Sequence, residues 1–507
     1  MQSRNPFVRM LSAAILAMCT TLHAHAERPN IVYILADDLG YGDVRHYNPE
    51  SKIPTPNIDR IAREGIAFTD AHSSSAVCTP TRYNILTGRY NWRTRIQSGV
   101  LWGHSAPLIA PNRPTVATFL KAQGYATACV GKWHLGLGWG GEEIDDEIKD
   151  IDYARRIKGG PVDLGFDYFF GIPASLDMTP YVYVENDRVV APATDTIAER
   201  SGQAFYRGGP IAPGFVIEDV LSTLGTKAVT YIDDRLQQNS EQPFFLYFPL
   251  TAPHTPILPS IDFAGKSAAG VYGDFVHQVD WIVGQILAAL DRNGAADNTL
   301  IIFTSDNGCS PMADFRELAA LGHHPSHIYR GHKADIYEGG HRVPFVARWP
   351  KGVTPGLTSN QTVSIGDLFA TAADILDVPL AADAAVDSVS FAPALAGNVD
   401  EPLREAIVHH SIHGDFAIRQ GDWKLAFCPG SGGWSTPTPD EARRMDLPSL
   451  QLFNLREDPG EQTNLIAKHP DVAARLTALM QRYVDRGRST PGPDQPNDAP
   501  IERWAPE

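Results

Sequence analysis

Cysteine is scarce in this chain, with five residues among 507. That density is far below the density of a disulfide-stabilised scaffold, and no Cys-x-x-Cys pair is present to suggest zinc binding or thiol redox chemistry. Cys19 lies in an N-terminal segment that we expect to be removed. If Cys78 has a function of its own, the remaining cysteines allow one disulfide at most, and we expect it to join Cys309 and Cys428.

Positively charged residues are also fewer than negatively charged ones. The chain has 43 Lys and Arg against 59 Asp and Glu, a formal net charge of −16. A nucleic-acid-binding protein normally presents a basic face, so this balance argues against a nucleic-acid partner. An anionic substrate would have to bind in a local cationic pocket.

Long hydrophobic runs are missing as well. The N-terminal run "MLSAAILAMCTTL" is too short to span a bilayer comfortably, so we expect no stable membrane insertion. Arg4 and Arg9 supply positive charge around its start, and small residues in "AHA" at 24–26 follow it, as in an export signal. We predict that residues 1–26 are a signal peptide cleaved near Ala26 and that the protein is exported, to the periplasm or outside the cell.

The rest of the chain alternates strand and helix patterns. "RPNIVYILADDLG", "QPFFLYFPLTAPH" and "NTLIIFTSDNG" have the apolar runs of buried strands, whereas "TPNIDRIAREGIAF" begins as an amphipathic helix and "YGDFVHQVDWIVGQILAALDRNG" is a long helix that ends at glycine. This alternation predicts an α/β domain, residues 27–400, with a large, mainly parallel sheet sandwiched by helices.

The pattern changes near residue 400. "AIVHH", "FAIRQGDWKLAF" and "LQLFNL" have the pattern of short antiparallel strands, and "VAARLTALMQRYVDRG" that of a final helix. We predict a smaller C-terminal α+β subdomain with a short antiparallel sheet and an extended tail, residues 401–507.

Polar side chains follow the buried strands of the predicted sheet. Asp37 and Asp38 end one strand, Asp306 and Asn307 end another, and His254 follows a third. In open α/β sheets ligands bind beyond the carboxyl ends of the strands. Turn formation alone could explain these residues. However, two clustered sets of carboxylates would repel each other without a cation, and hard oxygen ligands suit calcium or magnesium better than zinc.

Cys78 begins a predicted helix, with Pro80 in the first turn, where proline costs no hydrogen bond. A group at this position faces free backbone N–H donors and the positive end of the helix dipole, which stabilise an anion. Arg82, on the next turn, could hold the same anion. A plain thiolate nucleophile would need a neighbouring base, and the spacing identifies no such histidine.

The motifs Cys-Thr-Pro-Thr-Arg at 78–82 and Leu-Thr-Gly-Arg at 86–89 match the signature of the type I sulfatases. The chain therefore resembles the formylglycine-dependent sulfatases of the alkaline-phosphatase superfamily over nearly its whole mature length. The resemblance implies that a formylglycine-generating enzyme or an anaerobic maturase oxidises Cys78 to Cα-formylglycine. It also makes residues 27–400 the catalytic domain.

The resemblance implies one bound calcium ion, magnesium being less expected. Its ligands would be Asp37, Asp38, Asp306, Asn307 and an oxygen of the modified Cys78. The residues that would act on the sulfate group are Arg82, Lys132, His134, His254 and Lys333. In the implied mechanism a hydroxyl of the hydrated aldehyde attacks sulfur, His254 protonates the departing alcohol, and His134 takes a proton as the second hydroxyl expels sulfate.

We therefore expect an arylsulfatase-like sulfuric ester hydrolase that acts on sulfate monoesters of small molecules or glycans, O-sulfated carbohydrates above all and also aryl sulfates. One alternative is a phosphomonoester or phosphodiester hydrolase of the same superfamily, which would use serine or threonine and two zinc ions with additional His and Asp ligands. The other is a non-catalytic glycan-binding relative, which would have lost core residues.

Aromatic residues occur with cationic residues and glycine in "RYNWRTRIQSGVLWGH" and with several glycines in "CPGSGGWS". Such mixtures are found at sugar-binding rims, although packing of large aromatic side chains explains them equally well. The candidates for recognition of the leaving group are Trp92, Arg93, Trp102, His104 and Trp434.

Overall fold

The structure is a computed structural model that describes residues 28–397 and 399–501. The predicted signal peptide, residues 1–26, lies outside the described residues. Among the helices of the described part, none is both long enough and apolar enough to cross a membrane.

A ten-stranded sheet forms the centre of the fold. Its strands, in spatial order, are Leu357–Ser359, Ile66–Phe68, Phe345–Arg348, Thr299–Ser305, Asn30–Asp37, Phe244–Pro253, Ala126–Lys132, Tyr168–Ile172, Val184–Glu185 and Arg188–Val189. The five strands from Thr299–Ser305 to Tyr168–Ile172 are parallel, and antiparallel pairings lie only towards the two edges. The predicted mainly parallel sheet is confirmed.

Helices flank this sheet in two groups, each held together by mutual contacts. The first group is Pro56–Arg63, Val220–Gln238 and Gly270–Arg292, and the second is Cys78–Thr87, Val116–Ala122 and Leu368–Ile375. Shorter helices are Phe315–Ala320, Glu338–His341 and Ala392–Leu395. Small two-stranded sheets pair Ala71–His72 with Val363–Ser364, Gly140–Ile144 with Glu147–Asp152, and Asp195–Ile197 with Gly209–Ile211.

The C-terminal region contains the predicted antiparallel sheet. Its four strands are Ile407–His410, Phe416–Gln420, Trp423–Ala426 and Gln451–Asn454, and two helices, Pro439–Arg444 and Pro470–Asp485, complete the region. The apolar side of helix Pro470–Asp485 packs on this sheet through side chains that include Leu476 and Met480. The short sheet is therefore confirmed, whereas a domain boundary at residue 400 stays a prediction.

All four cysteines of the described part are free and buried. Cys309 packs in the core of the large sheet, whereas Cys428 packs in a separate small cluster with Ala417 and Phe453. The predicted Cys309–Cys428 disulfide is wrong, because each thiol fills its own apolar site as a small hydrophobic side chain.

Candidate active site

Parallel strands that end at one edge of the sheet bring the predicted site residues together. The strand Asn30–Asp37 lies between Thr299–Ser305 and Phe244–Pro253, with Ala36 opposite Ser305 and Asp37 opposite Pro253. Asp38, His254, Asp306 and Asn307 follow these strands directly, and Lys132 ends the next one, Ala126–Lys132. All of these side chains are buried. The sheet topology thus assembles residues that are far apart in sequence.

The acidic group of the site is tightly connected. The backbone N–H of Asp38 donates to Asp306 Oδ1 at 3.1 Å, and Asn307 Nδ2 donates to Asp38 Oδ1 at 2.7 Å. Asp37, Asp38 and His254 each place one potential ligand atom within 4.8 Å of the others.

Two oxygens in this group favour a bound cation. Asp37 Oδ1 and Asn307 Oδ1 are buried and have no hydrogen-bond partner. Buried polar atoms are normally satisfied, and a carboxylate oxygen and an amide oxygen are ligands that calcium and magnesium prefer. The residues present therefore fit a hard divalent cation.

Three buried cations surround the carboxylates. Lys132 Nζ lies 2.7 Å from Asp37 Oδ2, and Lys333 Nζ lies 2.7 Å from Asp38 Oδ2. Arg82 Nη2 lies 2.7 Å from Asp306 Oδ2 and 3.4 Å from Asp37 Oδ1. These cations supply the local positive charge that an acidic protein needs in order to bind an anion.

Electrostatics separate the two carboxylates that share Arg82. Burial alone would raise the pKa of Asp37, but Lys132, His254 and Arg82 outweigh it and hold that pKa well below its ordinary value. Burial and the charge of Asp37 raise the pKa of Asp306, against the opposing effect of Arg82. A divalent cation would favour the ionised form of both groups.

Cys78 lies at the first position of the helix Cys78–Thr87, after Val77 in extended conformation, and is 2% exposed. Burial raises the pKa of its thiol, although Lys132 and Lys333 act in the opposite direction. Because the nucleophilic form of cysteine is the thiolate, this environment disfavours an unmodified Cys78 as the nucleophile. The helix is capped by Gly88, whose N–H donates to Asn84 O at 2.8 Å and whose φ of 60° turns the chain out of the helix.

The two predicted acid–base residues have different environments. His134 is fully buried, its Nε2 lies 2.7 Å from Leu101 O and therefore donates there, and its Nδ1 has no partner. Burial, with Lys132 and Arg82, holds the pKa of His134 well below its ordinary value, so Nδ1 is a free acceptor. His254 Nε2 lies 3.6 Å from Asp38 Oδ2, beside the acidic group.

The structure adds residues that the sequence reasoning missed. Ser175 Oγ lies 3.1 Å from Lys132 Nζ and 3.3 Å from His254 Nε2. Ser175 follows Tyr168–Ile172, the fifth of the parallel strands, and the apolar run "YFFGI" was the signal that could have located it. Asp177, two residues further on, is buried and forms an ion pair with Arg207, whose guanidinium lies 4.9 Å from the centre of the Trp102 ring.

Two of the candidates for leaving-group recognition are wrong. Trp92 is fully buried and packs on Tyr90 and Phe416 beside the C-terminal sheet. Arg93 is also fully buried, with Nε 2.8 Å from Asp387 Oδ2. Trp92 serves packing and Arg93 forms a buried ion pair, and the composition of the segment could not distinguish either role from ligand binding.

The other three candidates have accessible side chains. Trp102 is 38% exposed and contacts Arg207, whereas Trp434 is 43% exposed. His104 Nε2 lies 3.2 Å from Glu147 on the hairpin that contains Gly140–Ile144. Their role in recognition stays a prediction.

The fold and the site together define a class of protein. A parallel sheet whose strand ends hold carboxylates for a hard cation, beside a helix N-terminus and three buried cations, has the features of a metal-dependent enzyme that acts on anionic esters.

Comparison with known proteins identifies the family. The sulfatase family model matches residues 29–378. The chain is 36% identical to an N-acetylgalactosamine-6-O-sulfatase of Bacteroides thetaiotaomicron, covering 91% of this chain and 94% of that relative. It is also 33% identical to human arylsulfatase A, and that match covers 95% of this chain and 92% of the human protein. One similar solved structure comes from work on the metabolism of multiple glycosaminoglycans by Bacteroides thetaiotaomicron. It is 35% identical in sequence to this chain, with a TM-score of 0.79, and the match covers 90% of this chain and 99% of that one. The chain belongs to the sulfatase family, whose members are sulfuric ester hydrolases.

Proposed function

We propose that this sulfatase removes sulfate from O-sulfated carbohydrates, with 6-O-sulfated amino sugars of glycosaminoglycan type as the first candidates. The relative named N-acetylgalactosamine-6-O-sulfatase supports this substrate class, because the similarity covers nearly the whole of both chains. The observation that carries the reaction type is the position of Cys78 at a helix N-terminus, where it faces Lys132, Lys333, Asp37 and Asp306.

The acidic group would hold one calcium ion, magnesium being the less favoured ion. We assign Asp37, Asp38, Asp306, Asn307 and an oxygen of the modified residue 78 as its ligands. The Oδ1 atoms of Asp37 and Asn307, which accept no hydrogen bond, support the assignment. The ion would supply Lewis acidity, and a hydrated Cα-formylglycine at residue 78 would supply two hydroxyl groups, one for attack on sulfur and one for release of sulfate.

The cations have two different roles in this proposal. Lys132 and Lys333, with Ser175 beside Lys132, bind sulfate oxygens and neutralise charge in the transition state. The donors of Arg82 are directed to Asp306, Asp37 and the backbone oxygen of Lys132. We therefore assign Arg82 chiefly as the residue that positions the metal-binding carboxylates against the helix of Cys78.

His254 is proposed to protonate the leaving alcohol, and His134 Nδ1 to accept a proton. A sugar alcohol needs protonation far more than 4-nitrophenol does. The His254→Ala variant is therefore expected to lose about 10²- to 10⁴-fold in kcat on a sulfated sugar but much less on 4-nitrophenyl sulfate. His277→Ala is a matched control, since His277 is partly buried and bonds to Pro54 O away from the site. Equal losses on the two substrates would contradict the assignment.

Arg207 is proposed to bind the sugar, because it is 40% exposed, held by Asp177, and adjacent to Trp102. The Arg207→Ala variant is expected to raise KM for a sulfated sugar about tenfold or more, the effect of losing a hydrogen bond from a charged group, with little change for 4-nitrophenyl sulfate. Arg200→Ala removes an exposed arginine paired with Glu218 and should alter neither KM. A similar rise in KM for both substrates would place Arg207 at the sulfate group instead.

The proposed function is tested by substrate preference. The experiment compares the rates at which one preparation hydrolyses four substrates: N-acetylgalactosamine 6-sulfate, its 4-sulfate isomer, 4-nitrophenyl sulfate and 4-nitrophenyl phosphate. We expect hydrolysis of the sulfates and preference for the 6-sulfate. Preference for phosphate would favour the phosphatase alternative, and binding of sulfated glycans without hydrolysis by a correctly modified protein would favour the non-catalytic one.

Export is proposed as well, with cleavage near Ala26 and with maturation of Cys78 by a formylglycine-generating enzyme or an anaerobic maturase. The N-terminal segment described above supports this proposal. N-terminal sequencing of the protein recovered from the producing cell tests it, with Glu27 the expected first residue.

A further inference from the structure

A cleft of about 590 Å³ opens next to the hairpin formed by Gly140–Ile144 and Glu147–Asp152. We call it the hairpin cleft. Its lining includes His104, Ile148, Tyr153, Thr179, Ala193 and Pro210. A volume of this size, lined by apolar side chains and a few polar ones, is typical of a small-molecule site. The catalytic steps proposed above leave this cleft without a role.

Three chain segments lead from the group around Arg207 into the hairpin cleft. They are Trp102 to His104, Asp177 to Thr179 and Arg207 to Pro210. Segments of two or three residues span at most about 7 to 11 Å, even when fully extended. The cleft therefore begins directly beside the residues that we propose to bind the sulfated sugar.

Close packing joins these segments into one ridge. A Cβ atom on Gly103 would come within 2.1 Å of Thr179 O, and one on Gly209 would come within 2.6 Å of Thr179 Cγ2. The ridge also borders the catalytic residues. Burial acts to raise the pKa of Asp177, but the neighbouring His254, with two further cations, holds that pKa below its ordinary value. A sugar held at this ridge therefore has the catalytic residues at one end and the hairpin cleft at the other.

The lining of the hairpin cleft fits a sugar ring. The ring of Tyr153 is partly buried and packs edge-on against Trp139, with ring centres 6.1 Å apart. Trp139 Nε1 in turn donates to Gly103 O at 3.0 Å. An aromatic ring fixed in this way is a preorganised surface for the apolar face of a sugar. His104 Nε2 lies 3.2 Å from Glu147, which leaves Nδ1 as the polar atom for a sugar hydroxyl.

The charges of the cleft do not fit a second sulfate site. Lys149 and Asp150 both line the cleft and have opposite charges, and Lys149 is already paired with Glu147. Among the described residues that line the cleft, Lys149 is the one lysine, and there is no arginine. The cleft thus offers a ring surface and hydrogen bonds instead of a strong anion site, so a sugar with or without a carboxylate fits it.

We propose that the hairpin cleft binds the sugar unit next to the sulfated one, so that the enzyme recognises two neighbouring units of a glycan chain. Tyr153 would stack on the neighbouring ring, and His104 would bond to one of its hydroxyl groups. This inference rests on the sugar-sulfate substrate proposed above. It predicts that a short chain is a better substrate than the single sulfated sugar.

The test compares kcat/KM for N-acetylgalactosamine 6-sulfate and for a chondroitin 6-sulfate trisaccharide that has this sulfated sugar at both ends. In the wild type the trisaccharide should be favoured about five- to tenfold, the scale of one aromatic contact, and Tyr153→Ala should abolish that preference without changing the monosaccharide value. Tyr231→Ala is the matched control, because Tyr231 is also partly buried but lines a different cleft of about 640 Å³. It should keep the preference.

A second variant fills the cleft instead of removing a contact. Ala193 lines the cleft and is partly exposed, so the large side chain in Ala193→Trp should occupy the space and also abolish the preference. Equal kcat/KM for the two substrates in the wild type would overturn the proposal. So would a preference that survives in both Tyr153→Ala and Ala193→Trp.

Binding of the unsulfated trisaccharide, measured by saturation-transfer NMR, separates the cleft from the proposed function. We expect binding to the wild type and to Tyr231→Ala, and its loss in Tyr153→Ala. A wild type that hydrolyses neither sulfated sugar would contradict the proposed function, and the binding result would then decide the cleft. Absence of binding to the wild type, or equal binding to Tyr153→Ala, would overturn the cleft proposal alone.

Discussion

The Cys78→Ser variant, produced in cells without a maturase, is expected to react once and then stop. Serine offers one hydroxyl for attack on sulfur but not the second hydroxyl that would expel sulfate. Steady turnover should therefore fall by about 10⁴-fold or more, the scale seen when a nucleophile is removed. Intact mass after incubation with 4-nitrophenyl sulfate should show the gain of one SO₃ group, located on residue 78.

Cys428→Ser is the control for this variant. Cys428 is likewise buried and free, but it packs in the separate cluster with Ala417 and Phe453. Produced in cells that contain the maturase, this variant is expected to turn over normally and to carry no sulfate. Steady turnover by Cys78→Ser, with residue 78 confirmed as serine by mass, is the result that contradicts the mechanism.

Arg82→Met is expected to cost about 3–5 kcal/mol of unfolding free energy when calcium has been removed, the scale for breaking a buried ion pair from one side. The substitution leaves Asp306 and Asp37, both fully buried, without their shared cation. If these carboxylates bind calcium, saturating calcium should recover part of the loss. Urea unfolding with chelator and with calcium measures both values.

Arg93→Met provides the comparison. Arg93 and Asp387 form an equally buried, two-point ion pair, with Nε–Oδ2 at 2.8 Å and Nη2–Oδ1 at 2.9 Å, but no residue assigned to the active site takes part. Arg93→Met should lose a similar amount of unfolding free energy, and calcium should not change that loss. An Arg82→Met loss that calcium does not change would argue against Asp37 and Asp306 as metal ligands.

Much of the fold was predictable because its strands are buried on both faces. The apolar runs at Asn30–Asp37, Phe244–Pro253 and Thr299–Ser305 are long enough to stand out, and each ends in polar residues. The antiparallel edge strands were harder to predict. Val184–Glu185 and Arg188–Val189 have two residues each, so no periodicity can identify them.

The site was predictable where a motif or a strand end marked it. Ser175, Asp177 and Arg207 were missed because they lie in loops, and only the folded chain brings Arg207 to Asp177 and Trp102. Trp92 and Cys309 show the opposite error. Their residue types can bind ligands or form disulfides, but burial in apolar clusters decides their role, and single-sequence patterns do not reveal which cluster a side chain joins.

Residue 78 is proposed to work as a modified cysteine in a sulfate-ester hydrolase. The decisive test is peptide mass spectrometry across residues 73–90, made on the same preparation that is assayed with 4-nitrophenyl sulfate. We expect active protein to contain a peptide lighter than the cysteine form by about 18 Da, the change from CH₂SH to CHO. Fully active protein with an unmodified Cys78 thiol would contradict the formylglycine mechanism.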